Sequence, residues 1–250
     1  MLVDVHAHLE FPNFEQDLEG VIERAKRAGI VAIINSGTTL ERCKKTLELT
    51  KKYPIIKASL GIYPTETTKM TGKELEEALE YIKKNKNKMI ALGEVGLDFH
   101  EEDNTKEKQK ENFQKIIELA EKIKLPIIIH SRKAEQEAVE MLEKSNLKKI
   151  MMHCFSGSKK LIKRCEQNGW MFSIPTNITF SEHFQMMAKE VSMSQIMTET
   201  DAPFLPPVKG ERNEPANVRY TIKKIAELKK LDEKEVENIV FANYQKFFSK

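Results

Sequence analysis

The chain has 250 residues, 40% of them hydrophobic and 32% charged, with a formal net charge of +3. This is the composition of a soluble globular protein, with no run near the ~18 apolar residues of a membrane span and without the large basic excess of a dedicated nucleic-acid binder. Cys43, Cys154 and Cys165 are scattered and form no CxxC pair, which argues against a disulfide framework and a zinc ribbon and suits a reducing compartment. The apolar start is only a few residues long and leads straight into Asp4, unlike a signal peptide, so a cytoplasmic protein without membrane contact is expected.

In chain order, short β-rich runs alternate with longer stretches of helical period. Strands are predicted over Leu2–His6, Val31–Asn35, Ile55–Leu60 and Met89–Gly93, then over Pro126–His130, Lys149–His153, Trp170–Ser173 and Gln195–Thr198. Helices are predicted near Asn13–Ala28, Leu40–Lys52, Lys73–Lys86, Thr105–Ile123, Ala134–Lys144, Lys159–Asn168, Glu182–Val191, Ala216–Lys230 and Glu233–Phe248. Apolar residues in the helices recur at spacings of three and four, as in Phe113, Ile116, Ile117, Ala120 and Ile123, so one face of each packs on a sheet. Strands and helices in alternation build a parallel sheet with crossover helices, and about eight strands is the count that closes a barrel. No linker interrupts the pattern. The expected fold class is therefore α/β, a TIM (β/α)8 barrel forming a single domain over residues 1–250.

Asp4-Val5-His6-Ala7-His8 carries the first chemical signal, because side chains at i and i+2 of a strand share a face. His-x-His alone is weak evidence for a metal. Glu94, His130, His153 and Asp201 each follow a further apolar run, however, and in a barrel the C-terminal ends of the strands open onto one face. Four imidazoles and two carboxylates exceed the needs of one tetrahedral zinc with an open position, and suit two divalent ions with Glu94 as the bridge. The expected division is His6, His8, Glu94 and Asp201 on one ion, and Glu94, His130 and His153 on the other. Mixed nitrogen and oxygen ligands favour Zn, Mn, Co or Ni over Ca, with Mg less comfortable.

Two such ions set against two carboxylates and a bridging hydroxide leave a centre of about +1, which attracts an anion such as a phosphate ester. Asp201 is expected to serve both as ligand and as general base. Asp4 and Glu199 lie one inward step before His6 and Asp201, where each either holds an imidazole N–H or is a buried structural group with a hydrogen bond of its own; Asp98 falls in a loop over the pocket and orients a neighbour. Arg132 and Arg212 are candidate phosphate clamps, with loop salt bridges as the competing role for each. Phe155-Ser156-Gly157-Ser158 offers either backbone donors for an anion or a plain helix cap.

These stretches resemble the TatD-like metal-dependent deoxyribonucleases, within the amidohydrolase-like TIM-barrel superfamily. The resemblance runs from Asp4-Val5-His6-Ala7-His8 through Gly93-Glu94-Val95-Gly96-Leu97-Asp98, His130-Ser131-Arg132 and His153-Cys154-Phe155-Ser156-Gly157. It continues through Thr198-Glu199-Thr200-Asp201-Ala202-Pro203-Phe204-Leu205 to Arg212-Asn213-Glu214-Pro215. It implies metal-dependent hydrolysis of DNA phosphodiesters with Mg, Mn or Zn, often by 3′-5′ exonuclease action, on DNA that is single-stranded or has a free 3′ end. Many relatives carry Gly-x-His-Pro where this chain has Gly61-Ile62-Tyr63-Pro64. Tyr63 could still bond a phosphate or stack on a base, and His100 is a further candidate substrate contact. The alternative function is a hydrolase of a small amide or ester, including an aminoacyl-tRNA ester.

Overall fold

The strands are short and almost wholly buried, as parallel strands are when helices cover one face and packed side chains fill the other. In the computed structural model, which describes residues 1–100 and 105–249, they are β1 (Leu2–Ala7), β2 (Ile30–Gly37), β3 (Ile56–Leu60), β4 (Ala91–Asp98), β5 (Ile127–Arg132), β6 (Ile150–His153), β7 (Met171–Ile174) and β8 (Ile196–Thr198). Each pairs in parallel with the next, in one sheet ordered β1 to β8. The helices among the described residues are α1 (Leu18–Arg27), α2 (Leu40–Lys52), α3 (Pro64–Lys69), α4 (Gly72–Lys84) and α5 (Lys106–Ile123), followed by α6 (Glu135–Glu143), α7 (Lys159–Gln167), α8 (Glu182–Glu190), α9 (Val218–Lys229) and α10 (Glu233–Phe248). Among the described residues no helix is long and apolar enough to cross a membrane.

The ring approaches closure through the segment after β8. Ala7 and Ala202 form a parallel bridge, the Asp201 N–H donates to the His6 carbonyl at 2.9 Å, and the His8 N–H donates to the Ala202 carbonyl at 2.8 Å. Asp4, fully buried, accepts from the Thr200 N–H at 2.9 Å and the Thr200 hydroxyl at 2.5 Å. Of the two roles open to Asp4, the buried structural one forms and the hold on an imidazole does not: it fastens the β1–β8 seam, with the backbone N–H of His6 as a weaker third donor at 3.3 Å.

All eight predicted strands are found, with two informative differences at their ends. β4 and β5 run on past Glu94 and His130, so these residues sit within strands rather than just after them. The stretch expected as one helix from Asn13 is split into a 3-10 turn, Pro12–Phe14, and α1. Pro12 fixes the φ of that turn, and Phe14 is fully buried from it. Helix α3 was not foreseen, because Pro64-Thr-Glu-Thr-Thr-Lys69 has no apolar period. Elsewhere the local rules hold: Thr39 and Ser158 cap α2 and α7, and Thr71 with Glu74 forms a capping box on α4.

Gly96 sits opposite His130 in the β4–β5 ladder. Its φ is +139°, and a Cβ at this position would lie 2.1 Å from the His130 carbonyl oxygen. Only glycine lets the two strands approach here. Gly96→Ala is expected to cost about 3 kcal/mol from backbone strain and overlap, read as a lowered urea midpoint. An unchanged midpoint would show that β4 can yield without cost.

Candidate metal centre

The centre is built from imidazoles whose outer nitrogens are already occupied. The His8 Nδ1–H donates to the Ser36 carbonyl at 2.8 Å, and the hydroxyl of the same serine lies 3.2 Å from His6 Nδ1. His153 Nδ1 is 2.7 Å from Glu199 Oε2, which also receives the Ser173 hydroxyl at 2.6 Å. Such partners fix the tautomer and leave each Nε2 lone pair aimed inward. His6 Nε2 and His8 Nε2 face each other at 3.2 Å, a repulsive arrangement unless a proton or cation lies between them.

Two carboxylates complete this cluster. Glu94 Oε2 is 3.4 Å from both His6 Nε2 and His8 Nε2, and Asp201 Oδ1 is 3.8 Å and 3.4 Å from the same two atoms. Donors bound at about 2.1 Å to one ion lie roughly 3.0 to 3.5 Å apart, so these spacings, apart from the wider one between His6 and Asp201, fit a divalent cation. The other oxygen, Glu94 Oε1, faces His130 Nδ1 at 2.8 Å and His153 Nε2 at 3.7 Å. The described residues thus form two overlapping groups able to hold an ion, His6 with His8 and Asp201, and His6 with Glu94 and His153. His130 stands outside both groups. Its Nε2 is turned to Asp98 at 3.1 Å and to the Tyr63 hydroxyl at 3.0 Å.

Asp201 takes up a left-handed backbone conformation, with φ of +56°. Aspartate tolerates this better than most residues, and the seam hydrogen bond to His6 holds it there. Burial acts to raise the Asp201 and Glu94 carboxyls, but the surrounding imidazoles outweigh it, holding Glu94 well below the usual range and Asp201 below it. Burial acts to lower the histidines; it prevails at His6, together with His153, whereas Asp201 and Glu94 carry His8 well up. His153 reaches about 9 in spite of burial, through Glu199, Asp201 and Glu94. Without a cation, then, protons neutralise this donor set, which is how a metal site behaves when a metal is absent.

The cluster floors a cavity of about 630 Å³, whose wall includes Phe11, Arg42, Tyr63, Lys69, Arg132 and Phe204. Asp98, fully buried, receives the Tyr63 hydroxyl at 2.5 Å, Arg132 Nη2 at 2.9 Å and the His100 backbone N–H at 2.9 Å. Burial would raise its carboxyl, yet His130, Tyr63 and Arg132 hold it below the usual range. The Tyr63 hydroxyl is pushed well up by burial, Glu94 and Asp98, so it remains a donor. The hydroxyl is therefore engaged with Asp98 and His130, while the residue itself lines the cavity.

Arg212 requires a correction. Its guanidinium donates to Asp17 at 2.6 and 2.8 Å and to the Asn13 carbonyl at 2.6 Å, and it stacks over Phe14, away from the cavity wall. The competing loop salt bridge is what forms. The His100 ring is exposed and is not among the groups lining the cavity. Ser158 caps α7, while Ser156 lines the cavity. Cys43 and Cys165 have thiols pushed up to about 12 by burial, and Cys154 is also pushed well up, so none is an activated nucleophile. Sequence reasoning passed over Ser36, although it stands near the C-terminal end of β2, the place where barrel chemistry collects. It also passed over Phe11, Arg42 and Lys69, which the loop after β1, the first turn of α2 and the last turn of α3 bring to the wall.

The sequence model of the family described as TatD related DNase matches residues 3–249. An uncharacterized metal-dependent hydrolase of Methanocaldococcus jannaschii is 37% identical over 248 residues, covering 99% of this chain and 97% of that protein. The deoxyribonuclease TATDN3 of Homo sapiens is 33% identical over 260 residues, covering 100% of this chain and 95% of its own. Among solved structures, the TatD homologue YjjV of Escherichia coli K12 superposes with a TM-score of 0.93 at 28% identity, over 100% of this chain and 98% of that one. With the barrel, the donor cluster and a match along nearly its whole length, the chain belongs to the TatD-related DNase family.

Proposed function

We propose that the protein hydrolyses DNA phosphodiester bonds in the cytoplasm as a 3′-5′ exonuclease on single strands or free 3′ ends. In this reading it uses two divalent ions, one held by His6, His8, Glu94 and Asp201 and the other by Glu94, His130 and His153. The observation that carries the reading is Glu94: its two carboxylate oxygens face different sets of imidazoles, as a bridging ligand requires. The name of the human relative, a deoxyribonuclease, supports DNA as substrate.

When bound, divalent ions supply Lewis acidity towards a phosphoryl oxygen and acidify water towards neutrality. The chain's own residues supply the rest. Asp201, kept ionised and partly open to the cavity, is the group that accepts the proton of the attacking water. Glu199 holds the His153 ring from behind, and Asp98 with Tyr63 holds His130 Nε2, so that His130 Nδ1 faces Glu94. Arg132 lies beside His130 on the wall with its Asp98 pair and suits an oxyanion through its planar donors.

The test is hydrolysis of 3′- and 5′-end-labelled single-stranded DNA after metal stripping and restoration of Mg, Mn, Co or Zn. Shortening from the 3′ end is expected, with kcat at least about a hundredfold lower in metal-replete Asp201→Asn. Wild-type rates in that variant would refute the site, and metal loading without cleavage would favour a small amide or ester. In the same assay Arg132→Ala is expected to raise KM about tenfold while Arg212→Ala leaves it unchanged. Metal uptake is also expected to release protons. His153, whose ion-free value is about 9, is protonated at neutral pH, so binding weakens as pH falls below 9, by up to about tenfold per pH unit for each proton displaced. Calorimetry at pH 7 in buffers of different ionisation enthalpy reads this release directly; a value of zero would contradict the proposed state of the ion-free centre.

A further inference from the structure

Phe204 is 49% exposed, a large apolar ring on the wall of the cavity that also contains Glu94 and Asp201. Its backbone is not loose. The Phe204 N–H donates to the Asp201 carbonyl at 2.8 Å, and the Phe204 carbonyl accepts from the buried Asn213 amide at 2.7 Å. The Phe204 main chain therefore keeps a fixed relation to a proposed metal ligand. Phe11 meets it nearly at right angles, with centroids 5.9 Å apart, and lies 4.9 Å from the His8 ring. Arg42 stacks its guanidinium on Phe11 at 3.9 Å and is itself tied to the Thr38 hydroxyl at 3.0 Å.

We propose that Phe204, braced by Phe11 and Arg42, is a stacking seat for the nucleobase of the nucleotide being cleaved from the strand. This rests on the nuclease reading above. An exposed aromatic face on an anchored main chain is what an unpaired base requires, and stacking accepts every base because each has a π-face. The location supports this occupant over a general apolar ligand. The Phe204 and His8 centroids are 6.3 Å apart, so a base on Phe204 keeps its own phosphate close to the donor cluster. The cation beside the seat suits an anionic strand: Arg42 adds positive charge on this wall, whereas Lys69 and Arg132 elsewhere on the cavity wall are paired with Glu66 and Asp98. Phe204 is thus a specificity residue for substrates that carry a base, acting on binding and not on the proton chemistry.

The experiment uses the metal-loaded protein and a single-stranded oligonucleotide ending in 2-aminopurine, its terminal linkage made a phosphorothioate to resist hydrolysis. Wild-type protein is expected to quench the terminal fluorophore on binding. Phe204→Ala should remove the quench and weaken binding about tenfold, and Phe204→Trp should restore both. An oligonucleotide ending in an abasic residue should bind wild type and Phe204→Ala alike. With cleavable DNA, Phe204→Ala should raise KM about tenfold and leave kcat within about twofold. Equal losses on natural and abasic ends would mean that Phe204 acts through Asp201, and the seat would fall. DNA cleavage with no dependence on Phe204 would keep the nuclease reading and remove the seat, whereas Phe204-dependent quenching without cleavage would do the reverse. A lower solution mass in Phe204→Ala, with DNA binding unchanged, would assign the ring to a second copy of the chain and overturn the proposal.

Discussion

Everything at the centre depends on one buried carboxylate in contact with four imidazoles. Glu94 lies within 3.7 Å of His6, His8, His130 and His153, at 3% exposure. A lone carboxylate in such a position carries a desolvation cost of several kcal/mol, which positive charge around it must offset. The surrounding rings would repel one another if all were cations and would point lone pairs at one another if all were neutral. Shared protons settle this conflict in the ion-free protein, and a bound cation would settle it in their place.

The barrel supplies the rigidity the cluster needs. Its seam is also the place where the site is assembled: Thr200 on Asp4 holds the segment after β8 against β1, and the next residue, Asp201, bonds the carbonyl of His6. The hydrogen bonds that close the ring thus also position His6 and Asp201, two of the proposed ligands. On the opposite side, Gly96 lets β4 approach β5 beside His130. A further polar layer, made of Ser36, Glu199, Asp98 and Tyr63, then sets which nitrogen of each ring faces inward.

The six candidate ligands could be named from the sequence because they obey short-range rules. His6 and His8 share a face by strand period, and each of the other four stands at or near the end of an apolar run. Glu199 was legible for the same reason, two residues before Asp201. What the sequence hides is long-range pairing. Arg212 finds Asp17 across 195 residues, and nothing local distinguishes it from a phosphate clamp. Asp4 has the right period for holding an imidazole, yet β8 brings it a threonine that binds it better. Tyr63 could be noticed as a departure from its relatives, but its bond to Asp98 depends on how β3 and β4 stand beside each other. The aromatic wall was invisible for another reason: exposure of Phe204 is a property of the folded surface, and a phenylalanine in a loop reads first as core.

The most direct measurement of the central claim is anomalous scattering from crystals of the protein grown with manganese or zinc. The account predicts two peaks, one on each oxygen of Glu94, with His6, His8 and Asp201 at the first and His130 and His153 at the second. A single peak, or two that leave either Glu94 oxygen without an ion, would contradict it.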